Sequence, residues 1–281
     1  MGRYFEYDPD AVEMFCKWLE FLCKPSVKVL EVGAGTGFFS EILLQINPSM
    51  KLSCLEPDKQ FIKVLQRKFK QQVTTIQGLI EDVKIPVELY DVVISHIVIH
   101  NLRNPVKALE GMKRMVRSGG FVVAIEPLAG RRHYLPSEEL NQAFALLDEV
   151  KVFFWRQIVD TGDNPVNINP WQNNYPALFE EAGLRFLRCH GWTSVFTLSD
   201  DRYAFDERMK WNKMRQEALM SSREEITGIL LDNGKKREEV NKAFEVISTY
   251  LKRIEGLTRE ELSKIHEQEI AHRIITIGFK D

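Results

Sequence analysis

Three glycines follow an apolar run early in the chain, in the stretch VLEVGAGTG at residues 29–37. Glycines allow a sharp turn and a close approach of the backbone to a ligand, and a helix that follows them offers unpaired N–H groups. A dinucleotide-binding loop that begins at Gly33 would need glycine where Phe38 stands, and the Lys of a Walker loop is absent. Glu31, two residues before the first glycine, suits a ligand that carries an ammonium group better than a pyrophosphate.

A second acid, Glu56, closes the next apolar stretch, KLSCLEP at 51–57. A carboxylate at the end of the second strand of such a sheet can accept hydrogen bonds from both hydroxyls of a ribose. Glu31 and Glu56 could also be ordinary loop-facing acids. Their occurrence together with three glycines favours a site for a ligand that has an ammonium group and a ribose.

The elements that must hold this loop alternate between strand and helix. Apolar runs that predict buried strands end near residues 32, 57, 78, 99 and 127. Segments with helical spacing of apolar residues separate most of them, beginning at Phe38, Asp58 and Pro105, and a first amphipathic helix precedes them and ends near Cys23. Alternation of this kind predicts a parallel, doubly wound sheet.

These motifs resemble those of the class I S-adenosylmethionine-dependent methyltransferases. LEVGAGTG is similar to the first motif of that family, LEPD to its acidic ribose motif, and QGLIEDV to its adenine-contacting segment after strand three. The stretch DVVISHIVIHNLRNPVKAL resembles the fourth-strand motif, and MVRSGGFVVAIEP resembles the turn into strand five. The resemblance covers residues 25–127 and resumes at 175–198 and 273–280.

The resemblance implies an α/β, Rossmann-like, doubly wound sheet of seven mostly parallel strands with the last strand antiparallel, plus a mainly helical insertion or cap. It also implies S-adenosyl-L-methionine as cofactor and S-adenosyl-L-homocysteine as product. The cofactor-binding residues that it implies are Tyr7, Glu31, Gly33, Gly35, Gly37, Glu56, Pro57, Leu79, Ile80 and Ser95. Where the family usually has Gly-Asp-Ala-Glu this chain has Gly-Leu-Ile-Glu, so we expect Leu79 and Ile80 to pack on the adenine ring.

The regular alternation of predicted strands and helices ends after Pro127. We expect a cofactor-binding core at 1–128, a cap or substrate insertion at 129–174, completion of the core sheet by 175–200 and 273–281, and a helical insertion at 201–272. Two capping boxes, Ser222 to Glu225 and Thr258 to Glu261, predict helix starts in that insertion. Its apolar stripe consists of Val240, Ala243, Phe244, Ile247, Leu251 and Ile254.

Three histidines are candidates for the general base that an acceptor needs when it must lose a proton. His96 and His100 follow strand four, where sheets of this kind open to ligand, and His133 follows strand five. The alternative for His100 is a helix-entry or core histidine satisfied by backbone groups, and the alternative for His133 is a solvated loop. No metal site is expected.

Two enzyme hypotheses and one non-enzymatic hypothesis fit these residues. The first is methyl transfer to N, O or C of a small, partly aromatic or amine-bearing acceptor held by aromatic residues of the insertions. The second is methylation of an RNA base, for instance an exocyclic amine, because residues 202–215 mix five basic residues with three aromatic ones. The Pro-Pro-Tyr-like residues usual in amino-methylating nucleic-acid enzymes are absent after strand four. The third is a non-catalytic partner subunit.

Composition sets further bounds on these hypotheses. The formal net charge is −2, so no overall field draws the chain to nucleic acid or to anionic lipid. No apolar run is long enough for a membrane span, and the start of the sequence lacks a signal-peptide core. Four scattered cysteines argue against a disulfide framework or a zinc site, which favours a cytoplasmic protein without a membrane partner. The sequence leaves the oligomeric state open.

Overall fold

The computed structural model describes residues 11–84, 86–102, 104–128, 132–160 and 174–281, with the backbone only at 132–133 and 151–160. By its internal contacts the chain divides into two units. One contains the described residues of 9–130, 169–193 and 272–281, and the other contains those of 131–168 and 194–271.

The strands are numbered in chain order. They are β1 (Lys28–Val32), β2 (Lys51–Glu56), β3 (Val73–Gln77), β4 (Tyr90–His96), β5 (Val116–Pro127), β6 (Arg132–Tyr134), β7 (Arg185–Phe196) and β8 (Gln268–Phe279). The helices are α1 (Ala11–Trp18), α2 (Phe38–Ile46), α3 (Lys59–Phe69), α4 (Pro105–Met115), α5 (Glu138–Asp160), α6 (Tyr175–Glu181), α7 (Phe205–Ser221), α8 (Arg223–Asp232), α9 (Arg237–Glu255) and α10 (Arg259–Leu262). Short 3-10 helices occur at Glu20–Cys23 and Ile99–Asn101.

The sheet follows the predicted doubly wound order. β3, β2, β1, β4 and β5 lie side by side and are parallel. β8 is antiparallel to β5, and β7 pairs with β8. The mostly parallel sheet with an antiparallel last strand is therefore confirmed, and the described residues add the short strand β6, which pairs with β8 through residues 268–270.

The first unit is closed by helices that cover a sheet buried on both faces. β1 is fully buried after its first residue, and every residue of β4 except Asp91 is buried, as the apolar composition of these strands requires. One face packs against α4 and α6, where Met112, Tyr175 and Phe179 join the core. This packing fixes the carboxyl ends of β1, β2, β4 and β5 at one edge of the sheet.

The second unit is mainly helical and has its own core. Every member of the predicted apolar stripe of α9 is buried, and α9 packs against α5 and α7. The capping box at α10 is confirmed, since Thr258 and Glu261 bond each other's backbone N–H. The helix start predicted at Ser222 is confirmed, since Ser222 directly precedes α8, but the capping box there is wrong, because the Ser222 side chain makes no cap bond.

A buried polar network also belongs to this unit. Arg215 forms an ion pair with Glu267, and the hydroxyl of Tyr250 donates a 2.7 Å hydrogen bond to the other oxygen of that carboxylate. The guanidinium of Arg215 lies 4.2 Å from the ring centre of Trp211. Burial and the Glu267 charge raise the pKa of Tyr250 well above its ordinary value, so this hydroxyl stays a donor.

Some boundaries differ from the predicted ones. β5 begins at Val116, ahead of the Ser-Gly-Gly segment, and β8 begins at Gln268, five residues earlier than predicted. Both strands gain this length through pairing, β5 with β4 at Tyr90 and β8 with β6. None of the helices in the described ranges is long and apolar enough to cross a membrane.

Candidate functional site

The glycine loop leaves β1 through a series of left-handed backbone conformations. Gly33, Gly35 and Gly37 have φ values of +69°, +56° and +80°, which side-chain-bearing residues rarely adopt. A Cβ at Gly37 would lie 2.3 Å from the ring of Phe69, whereas a Cβ at Gly35 would meet no atom of the described residues within 4 Å. Gly37 is therefore required by packing, and Gly35 borders open space.

Glu31 is a buried carboxylate directly before this loop, with 2% of its surface exposed. The hydroxyl of Ser40, in the first turn of α2, donates to its Oε2 atom, and Sγ of Cys54 lies 3.8 Å from the same atom. Burial and the Glu31 charge together raise the pKa of Cys54 far above that of a free thiol. These contacts give Glu31 a fixed orientation beside the loop.

Glu56 ends β2 next to the same loop and is 5% exposed. Its Oε2 accepts a 2.8 Å hydrogen bond from the N–H of Gly35, and its Oε1 accepts a 3.0 Å hydrogen bond from the N–H of Asp58. Each carboxylate oxygen can accept a further hydrogen bond. Glu56 therefore ties the loop to β2 while keeping acceptor capacity at the edge of the sheet.

Ser95 and His96 end β4, the neighbour of β1. Ser95 is fully buried, and within the described residues no hydrogen-bond partner of its Oγ is found. The imidazole of His96 is 3% exposed and stacks on the ring of Phe39, with 4.8 Å between centroids and an interplanar angle of 18°. A buried hydroxyl and a stacked imidazole thus lie one strand away from Glu31.

The turn after β4 depends on a distant carboxylate. Ile97 has φ +57°, an outlier for a β-branched residue that costs about 1–2 kcal/mol. The side chain of Glu126, at the end of β5, is fully buried and accepts hydrogen bonds from the N–H groups of Val98, Ile99 and His100. Nδ1 of His100 lies 2.8 Å from the same carboxylate.

Taken together, these residues line one edge of the sheet with two buried carboxylates, an open glycine backbone and a buried hydroxyl. This set matches a ligand with a cationic group and vicinal hydroxyls, and its two buried carboxylates would repel a pyrophosphate.

A comparison with protein families identifies this part of the chain. Residues 30–124 match a family model described as a methyltransferase domain. They form a class I S-adenosylmethionine-dependent methyltransferase domain. The match spans the glycine loop, Glu56 and the end of β4, and it confirms the family and the enzyme class that the sequence predicted.

Two curated relatives of this chain are malonyl-[acyl-carrier protein] O-methyltransferases. The protein from Paenibacillus sp. is 29% identical over 181 residues, which cover 62% of this chain and 61% of the relative. The protein from Neorickettsia risticii is 26% identical over 140 residues, which cover 45% of this chain and 54% of the relative. The chain thus spans less than two thirds of the length of these relatives.

Solved structures extend the likeness of fold beyond the matched domain. A protein assigned as a methyltransferase of an antibiotic biosynthesis pathway in Anabaena variabilis superposes with a TM-score of 0.55 at 19% identity, covering 98% of this chain and 99% of that one. The YcgJ protein of Bacillus subtilis gives 0.52 at 15% identity, covering 98% and 100%. At such identities the likeness concerns the fold.

The methyltransferase family uses S-adenosylmethionine, and the residues at this edge fit that cofactor. The open space beside Gly35 admits a ligand at the backbone, and the buried Oγ of Ser95 is a polar group available to it. Glu31 and Glu56 are buried carboxylates of the kind that suits an ammonium group and a ribose. Which of these residues contact the cofactor stays a prediction.

The structure separates Leu79 from Ile80, which were predicted to act together on the adenine ring. Leu79 is 51% exposed and remains a candidate. Ile80 is 3% exposed and packs in the sheet core, with its carbonyl 2.6 Å from where a Cβ on Gly111 would lie. In this structure the Ile80 side chain therefore lies in the core next to α4 and not at the surface of the site.

The structure gives fewer contacts for the remaining predicted residues. Pro57 directly follows Glu56, and its carbonyl oxygen accepts a 3.4 Å hydrogen bond from the side chain of Gln77. Tyr7 lies outside the described residues. His133 lies in β6 opposite Glu269, and only its backbone is described.

His100 lies next to Glu126, with 2.8 Å between its Nδ1 atom and the carboxylate. Neither sequence hypothesis for His100 included a carboxylate partner.

Sequence reasoning missed Glu126. The residue sits in the stretch IEP that was assigned only as the end of strand five. Its partners lie 26 to 28 positions earlier in the chain, so no local spacing could connect them. A charged residue at the end of an otherwise apolar strand was the signal that could have drawn attention to it.

Proposed function

We propose that this chain transfers a methyl group from S-adenosylmethionine to a nucleophilic atom of a small, partly aromatic or amine-bearing acceptor. The observation that carries the proposal is the placement of Glu31, Glu56 and Ser95 around an open glycine loop at one edge of the sheet. The curated relatives act on a malonyl group, so a short acyl carboxylate joins the acceptors to be tested.

In this proposal the residues of the edge each have one task. Glu56 accepts the ribose hydroxyls, Glu31 faces the ammonium group, Gly35 admits the ligand to the backbone, and Leu79 covers the adenine ring. When bound, S-adenosylmethionine supplies a methyl group that is already activated. The protein therefore needs mainly to hold the acceptor in line in a dry site, which can contribute about 7–11 kcal/mol.

His96 is the residue that we propose as general base. Its Nε2 atom is buried, and the stacked ring of Phe39 fixes the plane of the imidazole. A proton accepted at that nitrogen adds about two to four powers of ten to the rate when the acceptor must lose one. His100 faces Glu126 instead, and His133 stays a further candidate on the strand after β5.

The second unit gives less support to the RNA alternative. Arg208 and Trp211, two of the residues that could have gripped and stacked on RNA, are 3% and 7% exposed. Arg215 is engaged by Glu267, and Arg202 by Asp200. Packing within the protein therefore uses a large part of the mixed basic and aromatic segment 202–215, which favours a small acceptor.

Cofactor binding is the first test. Calorimetric titration with S-adenosylhomocysteine should show binding to the wild-type protein, and Glu56→Ala should weaken it at least about tenfold, or 1.4 kcal/mol. Asp91→Ala removes a carboxylate from the opposite end of β4 and serves as the matched control. Absence of binding to the folded wild type would refute the proposal and favour the non-catalytic partner subunit.

The second test identifies the class of acceptor by following transfer of a labelled methyl group. The protein is incubated with S-adenosylmethionine tritiated at the methyl group and, separately, with short acyl thioesters, carboxylic acids, aromatic amines and total RNA. Label in the small molecules supports the proposal. Label in RNA alone, with binding that falls steeply as salt rises, would establish the RNA alternative instead.

A further inference from the structure

We propose that Glu126 is a positioning residue of this methyltransferase, whose carboxylate occupies an anion-binding turn formed by its own chain and thereby holds the glycine loop in its binding shape. The proposal rests on the proposed function for its consequence, but the contacts that carry it are independent of any ligand. The hydrogen bonds of Glu126 found among the described residues go to the turn after β4, so it acts through Val98 and His100.

The first step is the contact set of the carboxylate. Oε1 of Glu126 accepts hydrogen bonds of 3.1 Å from Val98 and 2.9 Å from Ile99. Oε2 accepts a 3.4 Å hydrogen bond from the backbone N–H of His100 and lies 2.8 Å from its Nδ1. Successive N–H groups that converge in this way form a nest that binds anions. Here the anion is a side chain from the neighbouring strand.

The second step is the conformation that this contact set maintains. Ile97 is the residue directly before the nest and is held in the left-handed region at φ +57°. Its N–H bonds the carbonyl of Ile125, the residue before Glu126, at 2.8 Å. A β-branched residue keeps such a conformation only when the surrounding contacts determine it. The side chain of Glu126 and the backbone of Ile125 are those contacts.

The third step connects the turn to the glycine loop. A Cβ placed on Gly33 would lie 2.6 Å from Cγ2 of Val98, so Val98 packs directly on the first glycine of the loop. Gly33 in turn is bonded to the carbonyl of Leu55 in β2, at 2.8 Å. A shift of the turn therefore changes the space available to Gly33, and with it the approach that Gly35 offers to a ligand.

This arrangement gives His100 a different task from the one predicted. Its Nδ1 is engaged by Glu126, and 6% of the residue is exposed. The imidazole completes the set of groups around the carboxylate and helps to fix the turn. His100 is thus a second positioning residue, and His96 remains the candidate base.

The test measures affinity for S-adenosylhomocysteine by calorimetry on full-length variants. We expect Glu126→Ala to weaken binding at least about tenfold. Glu126→Gln should stay within about threefold of wild type, because its amide oxygen can still accept from Val98 and Ile99. The control Asp91→Ala, which removes a carboxylate bonded to the N–H of Lys28, should leave affinity unchanged. Equal losses in Glu126→Ala and Asp91→Ala, or no loss in Glu126→Ala, would overturn the proposal.

A rescue experiment separates positioning from general loss of stability. Glycine adopts a left-handed conformation at no steric cost, so Ile97→Gly should restore part of the affinity lost in Glu126→Ala, by at least about threefold. A residue with a merely structural role would not have its loss repaired at the strained position. Failure of Ile97→Gly to restore any affinity in a folded double variant counts against the proposal.

Amide hydrogen exchange keeps the proposal testable without a ligand and in a variant that retains the size of the side chain. In Glu126→Gln the new amide group faces the His100 N–H, so that N–H should exchange at least about tenfold faster than in wild type. The N–H of Ile94 in β4 is the internal reference. Unchanged exchange at His100 would refute the positioning role of Glu126 even if the cofactor binds. Conversely, a wild-type protein that binds no cofactor would refute the proposed function, and hydrogen exchange alone would then test whether Glu126 holds the turn.

Discussion

Two turns at the same edge of the sheet solve one geometrical problem in different ways. After β1 the backbone enters the left-handed region three times, and a glycine stands at each position. After β4 the backbone enters it once, at Ile97, and a buried carboxylate from β5 holds the turn in place. The first turn is allowed by its own residues, and the second is enforced by a residue far along the chain.

The two turns differ in what stabilises their left-handed conformations. Glycines reach the left-handed region without a steric penalty, but they also leave it easily because glycine has more conformational freedom than any other residue. The loop therefore keeps its shape through bonds to its neighbours, such as that from Gly35 to Glu56. A strained turn with a bonded carboxylate is stiff only while the bonds persist. We infer that the loop provides access for the cofactor and that the turn provides rigidity next to it.

The largest effect is expected at the carboxylate. Glu126→Ala leaves the N–H groups of Val98, Ile99 and His100 buried without an acceptor, so the free energy of unfolding should fall by about 3–5 kcal/mol. Urea unfolding at pH 7 measures it. A loss below about 1 kcal/mol would mean that water replaces the carboxylate and that the two turns do not differ as described.

A smaller loss of stability is expected within the glycine loop. Two alanine variants separate the contribution of packing from that of backbone strain. Gly37→Ala brings a Cβ within 2.3 Å of Phe69 at φ +80°, which should cost about 2–4 kcal/mol through overpacking and strain. In Gly35→Ala the new Cβ meets no atom of the part of the chain that the structure describes, so the variant should cost about 1–2 kcal/mol from strain alone. A bulkier residue at Gly35 should abolish cofactor binding with the fold retained, and an unchanged affinity would show that the loop is not the cofactor site.

The strained turn itself offers the next comparison. Ile97→Gly should be more stable than Ile97→Ala by about 1 kcal/mol, the reverse of the usual order inside regular structure, because only glycine escapes the steric cost at φ +57°. Thermal unfolding of the two variants side by side measures the difference. Should alanine prove the more stable, the turn would not be under strain in solution.

The smallest effect is expected at the opposite edge of the sheet, where Asp91 does for β1 what Glu126 does for the turn. Burial alone would raise the pKa of Asp91, but the Lys28 N–H and the Arg117 guanidinium outweigh it and hold this pKa below its ordinary value. The stabilisation that ionised Asp91 contributes is therefore fully present above its pKa in the unfolded chain, about 4. It is lost as pH falls through the lower pKa of Asp91 in the folded protein. Because Asp91 is partly exposed, Asp91→Ala should cost under about 1 kcal/mol at pH 7.

The measurement for Asp91 is unfolding of wild type and Asp91→Ala at pH 7 and again near pH 3. The difference between the two proteins should shrink at the lower pH, since protonation removes the same charge that the substitution removes. A difference that grows on acidification has the wrong sign for a carboxylate with a lowered pKa and would contradict the assignment.

The same contrast explains how much could be predicted from the sequence. The parallel strands, the glycine loop and the positions of Glu31 and Glu56 follow from apolar runs and from residue types that are special wherever they occur. The burial of the α9 stripe was predicted for the same reason, because its spacing is local and regular. The turn after β4 could not be predicted, since an isoleucine carries no sign that its backbone will be left-handed.

Other features depended on how neighbouring elements meet and were therefore missed. The side chain of Ile80 was expected on a ligand, yet the close approach of Gly111 in α4 places it in the core. Ser222 has the sequence of a cap but no cap bond, because α7 continues up to it and leaves no loop in which a cap conformation could form. The pairing of Glu126 with His100 belongs to this class as well.

The network of Arg215, Glu267 and Tyr250 restricts which substitutions can accumulate at these positions during evolution. Loss of either charged partner alone leaves the other ion buried and uncompensated, which usually costs more than replacing both by apolar residues. Single-step drift at either position is therefore disfavoured, and these sites should change together or not at all among descendants of the same ancestor. Paired substitutions to leucine or methionine are the expected route by which a lineage would abandon the ion pair.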